Sequence, residues 1–336
     1  MGKKIILGII LFLGIFHITW YAGSCTYKNR GLPDNVKAKD YQVKLLKRMD
    51  IKIDTRTMEE TDIDANGFRI HLTVFPAGKK APTLVFIPGT SVYARFYIEF
   101  LYDMYRQGFN VVGFDPRGHG QSSGLRGDYT INEIVDDTLA VVKYARKRFG
   151  GTVALSGSSQ GGMAAFYTAA RDDSIAAAVC HNIADLNGRD NLVLSQIRPP
   201  RFLVPLAEFM TGLYRGYSIP TSLYLDLKEE KMKDGTDVIT FSETDPLMVR
   251  WITVRAMGSL LRTDLARPVE KIKTPIMLVH SDRDSIFPQA YVEEIYQRLT
   301  CKKKYLLLKN TEHLVMTNNV DEIVPPVAAW LKKVMR

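Results

Sequence analysis

The chain has 336 residues, enough to bury a sizeable core as one large domain or two smaller ones. Its composition is that of a globular protein, and three cysteines (Cys25, Cys180, Cys301) do not make a disulfide framework. The formal charge of +9 comes from scattered Lys and Arg, not from a basic stripe with interleaved aromatics, which argues against nucleic acid as a partner.

After MGKK, residues 5–22 (IILGIILFLGIFHITWYA) are apolar or aromatic apart from His17 and Thr19. Eighteen helical residues span ~27 Å, close to the ~30 Å thickness of bilayer hydrocarbon. Residues 1–25 are therefore expected to be a membrane anchor or an export signal. Their AGSC ending is similar to a bacterial lipoprotein box with Cys25 as the lipidated residue, although Ala22 stands where Leu is preferred. Residues 26–50 read as a polar, basic connector. The expected localisation is at a membrane, and the flanking charges do not choose the side.

From residue 51 strands and helices alternate. IKIDT (51–55) and FRIHLTVFPA (68–77), joined through DANG, suggest an opening hairpin. TLVFIPG (83–89) reads as a strand, 93–108 as an amphipathic helix, NVVGFDPRGHG (110–120) as a strand with a glycine-rich loop, and 131–150 as a helix. A strand at 151–155, a helix at 163–173 and the strand IAAAVCHNI (175–183) follow. This rhythm predicts a mostly parallel central sheet flanked by helices. It breaks at 185. Through 265 the chain is helical, aromatic-rich and punctuated by Pro and Gly, with no evident sheet strand. The pattern predicts a helical cap, 185–265, inserted after the sixth strand into a core of 51–184 and 266–336. TPIMLVHSDRD (274–284) resumes the sheet, followed by a helix at 289–299, a strand at 304–313 and a helix at 320–335.

The stretch ALSGSSQGGM (154–163) holds three serines, and only Ser159 has the spacing G-x-S-x-G. That spacing arises by chance in roughly one chain in ten of this length. Its place between a strand and a helix carries the argument, because a nucleophile elbow is a sharp strand-to-helix turn that needs glycine. A serine nucleophile requires a base and a group to orient it. In elbow folds the triad runs Ser…Asp/Glu…His, so His313, in the loop after the last strand, is the expected base. The acid is expected at the end of IMLVHSD. Asp282 and Asp284 both qualify, Asp284 standing where the loop turns back toward the histidine, and Asp185 is a further alternative. The oxyanion donors expected are the backbone N–H groups of Gln160 and Thr90. Glu229 and Glu230 in the cap could bind a substrate amine, but they read better as solvated charges. No motif calls for a metal or another cofactor.

Together PGT (88–90), DPRGHGQSSG (115–124), GSSQGG (157–162), SDRD (281–284), TEH (311–313) and ETDPLMV (243–249) resemble the α/β-hydrolase superfamily. More narrowly they resemble its monoacylglycerol lipase, lysophospholipase and serine aminopeptidase-like branch, over roughly residues 60–335. The resemblance implies Ser159 as nucleophile, Asp284 as acid, His313 as base, and Thr90 and Gln160 as oxyanion donors. It makes His119 a structural residue near the floor of the site. Two departures stand out. Pro88-Gly89 replaces the family's His-Gly, and GSSQGG replaces GHSMGG, so that Ser158 and Gln160 flank the nucleophile. Only the backbone of Gln160 is expected to matter. The expected activity is hydrolysis of a lipid-like carboxylic monoester, a monoacylglycerol or lysophospholipid, through an acyl-enzyme. The alternatives are a small-ester esterase, an acyltransferase, an aminopeptidase-like hydrolase, or a membrane-tethered binding protein on an inactive hydrolase fold.

Overall fold

The computed structural model describes residues 2–31, 35–186, 203–225 and 227–335. Two helices lead the chain, α1 (Gly2–Lys28) and α2 (Asn35–Arg48). The C-terminal half of α1 is held along the cap. Trp20 donates its indole N–H to the Ser218 carbonyl at 2.9 Å, and Ser24 Oγ accepts the Ser218 N–H at 2.9 Å. Tyr27 Oη accepts the N–H of Arg250 at 2.8 Å. The stretch expected as a connector is also packed: Leu45 and Met49 are buried, and the Tyr41 ring meets Phe241 edge-on. Among the described residues, no helix is long and apolar enough to cross a membrane.

The sheet begins later than the sequence pattern suggests. IKIDT forms no strand, because Asp54 accepts the Arg56 N–H and caps a short 3-10 turn at Thr55–Thr57. The hairpin is made instead by β1 (Glu59–Ala65) and β2 (Phe68–Phe75). Asn66 and Gly67 both take positive φ in the two-residue turn between them, as a type I′ turn demands. The core continues through β3 (Thr83–Ile87), α3 (Ile98–Arg106), β4 (Asn110–Phe114), α4 (Ile131–Phe149), β5 (Val153–Ser158), α5 (Gln160–Arg171) and β6 (Ala178–His181). In β3, β4, β5 and β6 every residue is buried, so these strands show no polar–apolar alternation.

The cap is mixed rather than purely helical. It contains α6 (Val204–Leu213), β7 (Ser218–Pro220), α7 (Val238–Thr244), β8 (Trp251–Thr253) and α8 (Val254–Leu261). The strands β7 and β8 pair antiparallel, three residues each, too short to leave a period in the sequence. Residues 187–202 of the expected cap lie outside the described residues. Arg126, 1% exposed, ties the core to the cap by donating to the carbonyls of Gly120 and Leu247. Tyr93 donates to Asp245 of ETDPLMV at 2.8 Å, a second link between core and cap.

The core then closes with β9 (Ile276–Ser281), α9 (Gln289–Arg298), β10 (Lys303–Leu308), α10 (Val315–Asn318) and α11 (Val320–Val334). Among the described residues one eight-stranded sheet runs in the order β1-β2-β4-β3-β5-β6-β9-β10. It is antiparallel across β1, β2 and β4 and parallel from there on. All parallel strands therefore present their carboxyl ends to one edge, beneath the cap.

Candidate active site

Ser159 is the single residue between β5 and α5, with φ 54° and ψ −120°. That left-handed value is strained for a side-chain-bearing residue and is the geometry of an elbow. The glycines around it answer to space. A Cβ on Gly157 would lie 2.1 Å from the Gly161 carbonyl oxygen, and one on Gly161 would lie 2.1 Å from that of Ile87. The sharp turn thus packs directly onto the end of β3. The Ser159 N–H donates to the His181 carbonyl at 2.7 Å, which fixes the elbow to β6 as well.

His313 and Asp284 meet as the sequence leads one to expect. Nδ1 of His313 lies 2.7 Å from Oδ2 of Asp284, and both side chains are buried. A carboxylate only accepts, so Nδ1 carries the shared proton and Nε2 presents a lone pair. Burial works against the charged imidazole, but the Asp284 charge and hydrogen bond outweigh it, and the His313 pKa is raised. Burial likewise opposes ionisation of Asp284, yet the charge and hydrogen bond of His313 prevail and hold its pKa well below the usual carboxylate range. Oδ1 of Asp284 also accepts the N–H groups of Ile286 and Phe287, each at 2.8 Å. Asp282 points elsewhere, 3.9 Å from Lys309, and Asp185 pairs with Arg298.

Several groups that support this pair left no signal in the sequence. Asn182 donates to Asp284 Oδ2 at 2.8 Å and accepts from His280 Nδ1. His181 has its ring centre 5.1 Å from that of His313, and its Nδ1 lies 3.1 Å from Ser158 Oγ. Burial lowers the His181 pKa well below the ordinary value, so it adds no positive charge beside His313. Donor atoms of His181, Asp284 and His313 fall within 4.8 Å of one another. The Asp284 oxygens are already engaged by four hydrogen bonds, from Asn182, Ile286, Phe287 and His313, while His181 bonds Ser158 and meets His313 only ring to ring.

Glu230 corrects the solvated-charge reading. It is 1% exposed, and its Oε1 accepts the His313 backbone N–H at 3.2 Å and the Ser285 hydroxyl at 3.4 Å. A cap carboxylate therefore grips both the acid loop and the histidine loop. Burial raises its pKa. Glu229, beside it, is exposed as expected.

Thr90 and Gln160 also come together. Thr90 Oγ1 donates to Gln160 Oε1 at 3.1 Å, and Tyr129 Oη donates to the same oxygen at 2.9 Å. The Gln160 side chain thus bridges the two loops, a part that the backbone-only expectation did not include. His119, fully buried, packs its ring against Tyr129 at 4.7 Å and approaches the Arg117 carbonyl through Nδ1. Burial lowers its pKa to about 4, so it stays neutral as a packing group behind this chain. A cavity of about 260 Å³ opens above these residues, and both Ser159 and His313 line it, with Thr90 and Gly89. Its remaining walls are largely apolar and come from the cap, including Leu225, Leu227, Val238 and Met248.

The arrangement matches a known family. The description "Serine aminopeptidase, S33" covers residues 78–319. The chain belongs to this family of α/β hydrolases. It is therefore a hydrolase by family. It is 22% identical over 252 residues to a bifunctional esterase/perhydrolase of Acinetobacter calcoaceticus, spanning 68% of this chain and 83% of that one. In fold it is similar to the monoacylglycerol lipase of Paleococcus ferrophilus, with a TM-score of 0.64 at 23% identity over 79% of this chain and 98% of the other. A soluble variant of the monoglyceride lipase of Saccharomyces cerevisiae superposes with a TM-score of 0.65 at 16% identity, over 84% and 99% of the chains.

Proposed function

We propose that this hydrolase cleaves lipid-like carboxylic monoesters at a membrane, with Ser159, His313 and Asp284 as its triad. The observation that carries the reading is the shared cavity: the elbow serine and the carboxylate-held histidine face one space whose cap side is mainly apolar, with Glu243 and Arg250 as its charged members. In the mechanism, Ser159 Oγ attacks the ester carbonyl while His313 Nε2 takes its proton. The oxyanion is received by the N–H groups of Gln160 and Thr90. His313 then protonates the leaving alcohol, and a water deprotonated at the same nitrogen releases the acid from the acyl-enzyme. Asp284 holds the tautomer and stabilises the imidazolium throughout.

A further feature supports a lipid-like substrate and a membrane location. Large apolar side chains stand exposed on α1 and α6, among them Phe12 (68%), Ile18 (69%), Phe209 (65%) and Leu213 (62%). Contiguous faces of this kind mark lipid or protein partners. Glu230, the candidate for holding a substrate amine, does not line the cavity above Ser159 and is engaged with His313 instead, whereas Glu243 and Arg250 do line it, so the ester preference is left to the assay. The test is labelling with a fluorophosphonate, followed by hydrolysis assays on monoacylglycerols, lysophospholipids and aminoacyl amides. An adduct on Ser159 with turnover confined to esters is the expected result. Faster cleavage of aminoacyl amides than of any ester would overturn it.

A further inference from the structure

Behind Ser159 there is a second, smaller space, distinct from the open cavity in which the serine and His313 meet. It has a volume of about 30 Å³ and is lined by Ser159 and Thr90 at one end and by Met257 and Leu261 of α8 at the other. The same two α8 residues line a much larger groove, about 920 Å³, between α1 and the cap. Leu13, Phe16 and Trp20 supply one wall of this groove, and Met210, Tyr214 and Leu223 the other. Its volume falls within the ~300–1,000 Å³ of small-ligand sites, and its lining is almost wholly hydrocarbon and aromatic.

We infer that this groove is the binding site for the distal part of a long acyl chain whose carbonyl sits at Ser159. The proposal rests on the hydrolase reading above and adds to it the chain's path and length class. Three observations carry it. The groove and the neck at the nucleophile share Met257 and Leu261, one helical turn apart on α8, as a common wall. The neck is about the size of one water, and an unbranched thioether such as Met257 is the side chain best able to move aside for a polymethylene chain. The α1 wall is fixed, not incidental, since Trp20, Ser24 and Tyr27 bond it to both strands of the cap. Its polar residues are also hydrogen-bonded: His17 Nε2 lies 2.7 Å from Tyr217 Oη, and Thr211 Oγ1 donates to the Glu208 carbonyl at 2.8 Å. The α1 wall lies outside the family match at 78–319.

The experiment fills the groove from either side. Gly14 lines it, and a Cβ there meets nothing within 4 Å, so Gly14→Trp obstructs the space without disturbing the core. Ala207→Trp obstructs it from α6. For the full-length protein, kcat/KM is measured on 4-carbon and 16-carbon monoesters of one alcohol. Each variant is expected to lower the long-to-short ratio at least ten-fold. In a Ser159→Ala background, a fluorescent 16-carbon fatty acid should bind and should weaken at least ten-fold when either tryptophan is added. An unchanged ratio and an unchanged fatty-acid affinity in both variants would overturn the groove, even if their vesicle binding fell. The binding arm needs no turnover. A chain that takes no fluorophosphonate at Ser159 and cleaves no ester therefore refutes the hydrolase reading, while fatty-acid binding decides the groove.

Discussion

At the scale of single residues, the charge balance around His313 sets the pH behaviour. A general base must be neutral, so activity rises with pH through the His313 pKa. Asp284 raises that pKa, and the acid limb of kcat/KM is expected above the ordinary ~6.5. Asp284→Asn removes the raising charge: the limb should move to lower pH while the plateau falls ~10²–10⁴-fold. Asp282→Asn should leave both within about two-fold, since Asp282 faces Lys309. A severe loss at Asp282 with little effect at Asp284 would refute the assignment. Glu230 provides a subtler comparison. The groups facing it are His313, Asp284 and Glu312, together with the Ser285 hydroxyl. Glu230→Gln keeps an acceptor for the His313 N–H but removes a charge that favours the imidazolium, so the acid limb should shift downward with little loss at the plateau. Glu230→Ala leaves a buried N–H unpaired, a cost of about 1–3 kcal/mol that thermal unfolding should register as a lower Tm. Identical pH profiles for wild type and Glu230→Gln would remove the electrostatic role.

At the scale of elements, the question is what holds the two oxyanion loops in register. The Gln160 side chain accepts from Thr90 on the loop after β3 and from Tyr129 before α4, so three segments converge on one amide oxygen. Gln160→Met, the residue usual in the family, removes that acceptor and leaves the backbone N–H intact. Oxyanion donors act on charge that develops in the transition state, so kcat should fall by about ten-fold with KM little changed. A change confined to KM would show that the amide serves substrate binding instead. This bridge also marks the limit of what the sequence revealed. The elbow was legible because its constraints are local: glycines within five residues of Ser159 exclude their own neighbours. The mostly parallel character of the sheet and the expectation that His313 meets Asp284 came from the strand–helix rhythm and the strand ends, whereas the order of the strands, with β4 before β3, left no mark in the sequence. Asn182, His181 and Glu230 were not legible, because each acts across 83 to 102 residues or against a neighbouring strand, and no spacing records that. The three-residue strands of the cap were hidden for a different reason, being shorter than any period. The first strand was misplaced because Asp54 turns the chain where an alternating pattern suggested extension.

At the scale of the whole molecule, the active-site edge of the sheet, the cap and α1 lie on one side, and the exposed apolar residues of α1 and α6 belong to that side. The proposed lipid-ester reading requires an entrance near the bilayer, and from it follows the expectation that the full-length chain associates with vesicles. Two forces would contribute, and they separate experimentally. The net charge of +9 attracts an anionic surface, an effect screened within ~10 Å at 0.1 M salt. Apolar insertion is insensitive to salt. Full burial of a Phe or Leu side chain contributes about 1.5–3 kcal/mol. Phe209 and Leu213 are already partly covered, so replacing both with Ser should weaken partitioning by about ten- to a hundred-fold. Sedimentation with zwitterionic and anionic vesicles at low and high salt reads both terms, with thermal unfolding as the check that the variant is folded. Binding that survives high salt but falls in the double variant places α6 in the bilayer surface. Binding abolished by salt and indifferent to the serines would assign the attraction to the basic residues alone, and the apolar face of α6 would then have to be matched to a protein partner instead.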